Sequence, residues 1–361
     1  MNKSILNQDL DYIYGRFVEK VRIKDSTVLL TGCAGFLGYT LMQFFCTYFE
    51  ELRLRAVIGV DNFKVGKPRW IEKLQSSNGD RVRIHHFDIV TGNFKDIPGV
   101  ENADYVLHMA SIASPTYYRQ FPLETVEANV WGLKRLLDFY RERPIKGLLF
   151  FSSSEVYGDP FPEFIPTRED YRGNVATMGP RSCYDEAKRF GETLCYIYAN
   201  QFGMPVPIVR PFNNYGPGMK IDDKRVPADF ARAVLENRDI VLFSDGTPQR
   251  TFCYVADAVI GYLKALTFGS FDYFNIGIEK PEISIRDLAE IFLSQGRRLA
   301  GYKGKIKFET SGDSDYLTHN PSRRCPDIVK AREKLGYHPE IEVEAGVARF
   351  IEFMQQEGGN L

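Results

Sequence analysis

The chain has 361 residues, 44% of them apolar, and its 46 Lys+Arg against 47 Asp+Glu leave a formal charge of -1. This is the composition of a globular protein long enough for two structural units, and the balanced charge excludes the basic stripe that a nucleic-acid partner requires. The charge-free stretch Thr193 to Val209 is broken by Asn200, Gln201, Gly203, Pro205 and Pro207, and Asp9 and Asp11 stand near the N-terminus, so neither a bilayer span nor a signal peptide is expected and the location reads as cytoplasmic.

At the start of the chain Leu6, Leu10, Ile13, Tyr14, Phe17, Val18 and Val21 recur at three- and four-residue steps. That spacing predicts a helix over 6–21 within a docked extension, residues 1–24. Short aliphatic runs then alternate with longer helical segments: 27–31, followed by a helix over 36–52, then 56–60, 82–87, 105–108, 147–151 and 206–209. Strands alternating with helices imply right-handed crossovers and a doubly wound parallel α/β sheet of the Rossmann type. Its expected span is 25–210, with 240–270 returning to it. From 211 the rhythm loosens, and 211–239 with 271–361 are expected to form a smaller, mixed C-terminal substrate-binding unit with helices near 228–237, 285–295 and 344–355.

The first strand runs into Thr31-Gly-Cys-Ala-Gly-Phe-Leu-Gly38, a G-x-x-G-x-x-G turn that opens the next helix. Gly32 and Gly35 would let the backbone approach a pyrophosphate, Phe36 and Leu37 begin the helix whose N-terminus faces it, and Gly38 would allow close helix–strand packing. Asp61, followed by Asn62, ends the second strand about 20 residues beyond the last glycine, where ribose hydroxyls lie in such folds. A carboxylate there repels a 2′-phosphate, so the expected cofactor is NAD rather than NADP. Asp88 ends the next strand near an adenine position.

Two more segments fall where an open parallel sheet presents its ligands, Phe151-Ser-Ser-Ser-Glu-Val-Tyr-Gly158 and Tyr184-Asp-Glu-Ala-Lys188. Tyr184 and Lys188, four apart, share a helix face. A neighbouring ammonium favours the phenolate, which makes a general base without histidine. Six cysteines without C-x-x-C spacing and five histidines without a metal-ligand pattern leave neither a disulfide framework nor a metal site in the expectation. Cys183 beside Tyr184 has no histidine partner and reads as a structural thiol. His108 reads as an orienting residue beside the cofactor.

Together with His108-Met-Ala-Ser111, the run from Arg210 to Gly218 and Arg250-Thr-Phe-Cys-Tyr-Val-Ala-Asp257, these motifs make the sequence resemble the extended short-chain dehydrogenase/reductase family of nucleotide-sugar enzymes over nearly all of 26–340. Gly179-Pro-Arg-Ser-Cys-Tyr-Asp-Glu-Ala-Lys-Arg189, Ser154-Glu-Val-Tyr-Gly-Asp-Pro160, Ala113-Ser-Pro115 and the run from Arg323 to Lys330 are most similar to the branch that decarboxylates UDP-glucuronate to UDP-xylose. The resemblance implies an NAD-dependent lyase, a 4-keto intermediate, a UDP-sugar substrate and a homodimer built on helices near 121–140 and 185–200. It implies catalytic roles for Tyr184, Lys188, Ser153, Ser154 and Glu155, cofactor contacts from Ala110 and Lys188, and substrate contacts from Arg181, Asn213, Arg225, Arg250 and Arg323. Arg181 is the candidate for the C6 carboxylate, and Arg323 or Arg324 for phosphate or ribose, with Arg323 the one assigned.

Dehydratases of the family carry Asp-Glu where this chain has Ser154-Glu155, and its epimerases have no acid at the second position. Ser182, Ala187 and Ile112 depart from the decarboxylase pattern, which leaves a 4-epimerase or 4,6-dehydratase acting on a neutral hexose as the alternative. A non-catalytic NAD-binding protein is the minor one.

Overall fold

The computed structural model describes residues 3–312 and 318–357. Strands β1 (Thr27–Thr31), β2 (Ala56–Asp61), β3 (Val82–His86), β4 (Tyr105–His108), β5 (Gly147–Phe151) and β6 (Ile208–Pro211) appear in chain order. The short pieces β7 (Asn214–Tyr215), β8 (Ile240–Leu242), β9 (Gln249–Arg250) and β10 (Cys253–Tyr254) follow. Next come β11 (Tyr273–Ile276), β12 (Ile283–Ser284), β13 (Ile306–Phe308) and β14 (Arg323–Arg324). Seven of these form one sheet in the order β11-β6-β5-β4-β1-β2-β3, every pair parallel. The order reverses between β1 and β4, and the crevice at that switch point is where an open sheet of this kind receives ligand.

β1 and β5 are buried along their whole length, as runs covered on both faces must be. The helices are α1 (Ile5–Arg16), α2 (Phe36–Thr47), α3 (Trp70–Asn78), α4 (Pro115–Gln120), α5 (Pro122–Glu127), α6 (Leu133–Tyr140), α7 (Ser182–Phe202), α8 (Val226–Leu235), α9 (Val255–Leu266), α10 (Ile285–Ala300), α11 (Val329–Leu335) and α12 (Val343–Glu357). Two buried clusters fill the space between helices and sheet. The larger runs from Leu10 and Phe17 through Phe44 to Phe350, and the smaller gathers Leu136, Leu148 and Ile208. No helix among the described residues is long and apolar enough to cross a membrane.

Four expectations shift. The helix expected over 6–21 stops at Arg16: Phe17 leaves helical geometry (φ -81°, ψ 78°) to bury its ring, and a 3-10 segment over 18–23 turns Val18 and Val21 outward. The second helix ends at Thr47 rather than 52. Around the small unit, β8 pairs with β13 and β9 with β12 and β14, so 240–250 stays with that unit and only α9 returns to pack on the sheet. β11 in turn belongs to the main sheet, although it lies beyond residue 271.

Candidate active site

A single cavity of about 620 Å³ spans the C-terminal ends of the central strands and reaches into the small unit, a size suited to small-molecule ligands. Its floor is the turn after β1. Gly32 has φ +70°, and a Cβ there would stand 2.7 Å from the backbone of Ala110, so the bare backbone is what lets the β1 and β4 turns approach. A Cβ on Gly38 would run into the carbonyl of Cys33. α2 begins at Phe36 with Gly35 as its cap, and Phe36, Leu37 and Gly38 line the cavity, presenting the helix N-terminus to it.

Beside this turn the Asp61 carboxylate accepts the N–H groups of Phe63 (2.7 Å) and Ala34 (3.0 Å). Burial raises its pKa while those two bonds oppose the rise. Asn62 Nδ2 donates to Asp88 (3.1 Å), and Asp88 also accepts from the Val90 and Thr91 backbone. Thr31 Oγ1 lies 2.7 Å from His108 Nδ1, and burial pushes His108 down to about 3, so a neutral ring fixes the end of β4. A cradle of glycines with an acid on its rim fits a dinucleotide that has free ribose hydroxyls.

Further along the crevice, α7 carries Tyr184 and Lys188 against the end of β5. Ser153 lies near enough to Tyr184 to favour its phenolate, and Ser153 Oγ accepts the N–H of Glu155 (3.2 Å), which fixes the hydroxyl at the strand end. Ser154 is buried next to it and also lines the cavity. Lys188 Nζ donates to the Phe151 carbonyl (2.6 Å) and sits 5.6 Å from the centre of the Tyr184 ring.

The expectation that Lys188 lowers the Tyr184 pKa is not met in this state. Burial pushes Tyr184 up to about 12, Glu155 and Asp185 add to the rise, and Ser153 and Arg225 only moderate it. Lys188 is itself pushed down to about 7 by burial. The phenol is therefore protonated until a positive charge arrives beside it.

The third corner is ionic. Glu155 accepts both Nη groups of Arg324 (2.5 and 2.6 Å) and Arg181 Nη2 (2.6 Å). Burial opposes its charge, yet the two guanidinium groups hold it well below the usual carboxylate range. Asp185 lies 3.8 Å from Arg181 Nε, and burial together with the nearby Glu155 charge pushes it up to about 8. One acid of the pair is thus ionised and the other protonated near neutrality. Arg250 donates to the backbone carbonyls of Gln249, Pro321 and Ser322, and burial, then Arg324, pulls it down to about 9. Three buried guanidinium groups facing one ionised carboxylate make this wall a receiver of anions.

The structure brings Tyr184, Lys188, Ser153, Ser154, Glu155, Arg181, Asn213, Arg225 and Arg250 to the cavity with the cofactor-side residues Gly32, Gly35, Asp61, Asn62, Asp88 and Ala110. Asn213 Nδ2 donates to the Thr251 carbonyl (2.9 Å), and Arg225 pairs with Asp223 beside the Phe36 ring. Arg323 does not join them: it pairs with Glu282 (2.6 Å) outside the cavity lining, and Arg324 takes the inward position. Successive strand residues point to opposite faces, so only one of this pair could face in. Tyr118 also escaped the sequence reading. Its ring stacks on Tyr184 at 5.1 Å, and neither spacing nor motif joins the two.

The model of the NAD dependent epimerase/dehydratase family matches residues 28–277. UDP-glucuronic acid decarboxylase 1 of Xenopus tropicalis is 33% identical over 330 residues, 91% of this chain and 72% of that protein. For UDP-glucuronic acid decarboxylase 6 of Arabidopsis thaliana the identity is 34% over 320 residues, 89% and 86% of the two chains. Among solved structures, the UDP-glucuronic acid 4-epimerase of Bacillus cereus with UDP-glucuronic acid and NAD superposes with a TM-score of 0.75 at 25% identity, covering 91% of this chain and 99% of that one.

Proposed function

The chain belongs to the NAD dependent epimerase/dehydratase family, and we propose that within it the protein decarboxylates UDP-glucuronate through a 4-keto intermediate, giving UDP-xylose or its 4-keto pentose. The observation that carries this reading is the Glu155–Arg181–Arg324 cluster next to Ser153 and Tyr184. A wall with this excess of buried positive charge suits a sugar bearing both a diphosphate and a carboxylate, and serves a neutral hexose less well. The decarboxylase names of the curated relatives support the same substrate.

We assign the cofactor as NAD, held by the Gly32–Gly38 turn, by Asp61 at the ribose and by Lys188. When bound, NAD⁺ supplies the acceptor for the C4 hydrogen and later returns it. The protein's residues do the rest. Tyr184 Oη takes the proton of the sugar 4-OH, with Ser153 hydrogen-bonded to the same oxygen. A ketone at C4 makes the C6 carboxylate a β-keto acid, and Tyr184 with Ser153 stabilises the enolate oxygen that CO₂ loss leaves behind. Glu155, held ionised and with no proton of its own to give, excludes water or acts at C5 by relaying the proton that the reaction takes up from solvent. Arg250, Asn213 and Arg225 bind the diphosphate and sugar, and Arg181 meets the C6 carboxylate.

The assembly that goes with this reading is a homodimer. Its support is three large apolar side chains, Trp131 between α5 and α6 and Phe190 and Tyr196 on α7, each at least half exposed. A cytoplasmic location is supported by six cysteines that are all free.

Incubating the purified protein with UDP-glucuronate and separately with UDP-glucose, with CO₂ and product mass as readouts, tests the function. CO₂ and a UDP-pentose from the uronate are expected. A hexose epimer or a 4-keto-6-deoxy sugar from UDP-glucose, without CO₂ from the uronate, would replace the decarboxylase with the epimerase or dehydratase alternative. That alternative draws its support from epimerase neighbours such as the UDP-glucose 4-epimerase of Thermotoga maritima, superposed with a TM-score of 0.77 at 25% identity.

A further inference from the structure

The N-terminal extension has no part in the chemistry above, yet it carries buried charge. Asp9 on α1 is 1% exposed. Docking alone would be served by an apolar side chain, and a buried carboxylate is costly unless it is paired. Asp9 accepts the Tyr254 hydroxyl (2.6 Å) and faces Arg349 of α12 (3.0 Å). Three residues on, Tyr12 donates to Asp257 (2.7 Å), whose other oxygen accepts the N–H groups of Glu340 and Ile341. Tyr14 stacks on Tyr48 just beyond α2, the helix that starts at the glycine turn.

These contacts lead to the substrate wall. Tyr254 ends β10, which pairs with β7 in the register Cys253–Asn214 and Tyr254–Tyr215. One residue outside that pair the Cys253 N–H reaches the Asn213 carbonyl (3.2 Å), and the Asn213 side chain returns to Thr251 (2.9 Å). Arg250 precedes this loop, and both Asn213 and Arg250 line the cavity.

We infer that Asp9 is a positioning residue for the nucleotide-sugar wall: by fixing Tyr254 it sets the β7–β10 pair and, with it, Asn213 and Arg250. The inference rests on the reading that these two residues hold the nucleotide sugar. A second, partly buried pair, Lys264 with Glu19 (2.9 Å), anchors the extension ten residues further along, about 15 Å down α9. It supplies a control of the same chemistry away from the wall.

The test uses the NAD-loaded full-length protein and the variants Asp9→Ala, Asp9→Asn, Tyr254→Phe and Glu19→Ala. Affinity for UDP, affinity for NAD, melting temperature and amide exchange over 213–215 and 250–254 are measured. Asp9→Ala and Tyr254→Phe are expected to weaken UDP about tenfold with NAD binding unchanged, and to speed exchange in those two segments. Asp9→Asn, which keeps an acceptor for Tyr254, should stay within about twofold of wild type. Glu19→Ala should lower the melting temperature and move neither UDP affinity nor the exchange. The inference is overturned if Asp9→Ala and Tyr254→Phe leave exchange in the two segments unchanged, or if Glu19→Ala changes UDP affinity as much as Asp9→Ala. A wild type that binds no UDP while the variants still show the exchange pattern would instead sink the assignment of Asn213 and Arg250.

Discussion

Arg324 grips both oxygens of Glu155 across 169 residues of sequence, tying the last short strand of the small unit to the end of β5. Arg324 is buried and the Glu155 side chain is only 16% exposed, so removing one strands the other's charge, at a cost of about 3–5 kcal/mol. Arg324→Ala should lower the melting temperature as well as turnover. Glu155→Gln keeps the shape but leaves Arg181 and Arg324 without their counter-charge, so it too should lower the melting temperature, and kcat should fall by about a hundredfold or more. Equal kcat in wild type and Glu155→Gln would remove Glu155 from the chemistry.

With Tyr184 pushed up to about 12, its phenolate is scarce at neutral pH unless the charge beside it changes. The oxidised cofactor carries a positive nicotinamide ring, so the Tyr184 pKa should be lower in the NAD⁺ form than in the NADH form. A difference absorbance titration of tyrosinate, wild type against Tyr184→Phe, measures this in both loaded states. Tyr184→Phe should also cost about 10²–10⁴ in turnover while NAD remains bound. Identical titrations in the two states would contradict the cofactor-triggered base.

Lys188 gives a stability signature of definite sign. Burial takes its pKa from the ordinary 10.5 down to about 7, so between those values the unfolded chain binds the extra proton and stability rises with pH. Below about 7 the ammonium is charged in both states and the cost of burying it is fully felt. Lys188→Met should therefore be more stable than wild type at pH 6–7 in the cofactor-free protein, and the gap should close as the pH approaches 10. Denaturant melts across that range check the trend, and a gap that widens with pH would contradict it.

Gly32→Ala should remove the cofactor. Its φ of +70° and the 2.7 Å approach to Ala110 leave no room for a methyl group without moving the turn. The left-handed backbone alone costs about 1–2 kcal/mol, so NAD affinity should fall about tenfold at least. Calorimetric titration with NAD reads the loss.

What could be read from sequence was local. The glycine turn, Asp61 and the Tyr184/Lys188 pair each lie within one or two elements, and their spacing maps directly onto a strand–turn–helix or a helix face. What could not be read depends on partners remote in sequence. The choice between Arg323 and Arg324 is set by the pairing of β14 with β9, and the stack of Tyr118 on Tyr184 joins two helices with no shared motif. The pKa of Tyr184 went astray for a related reason. Spacing shows that a lysine is near, but not that burial costs both groups their charge. At the N-terminus the apolar period continued past Arg16, and only the burial of Phe17 reveals that the helix ends there.

The measurement that bears most directly on the account is turnover of UDP-glucuronate deuterated at C4, with the mass and label position of the product determined. If Tyr184 opens the reaction at the 4-OH and the hydrogen is returned within the same site, CO₂ appears and the UDP-pentose keeps its deuterium at C4. A 4-keto pentose with the label left on the cofactor keeps the first step and loses the return. CO₂ formed with the label washed into solvent, or recovery of an uncleaved uronate epimer, would contradict the proposed chemistry.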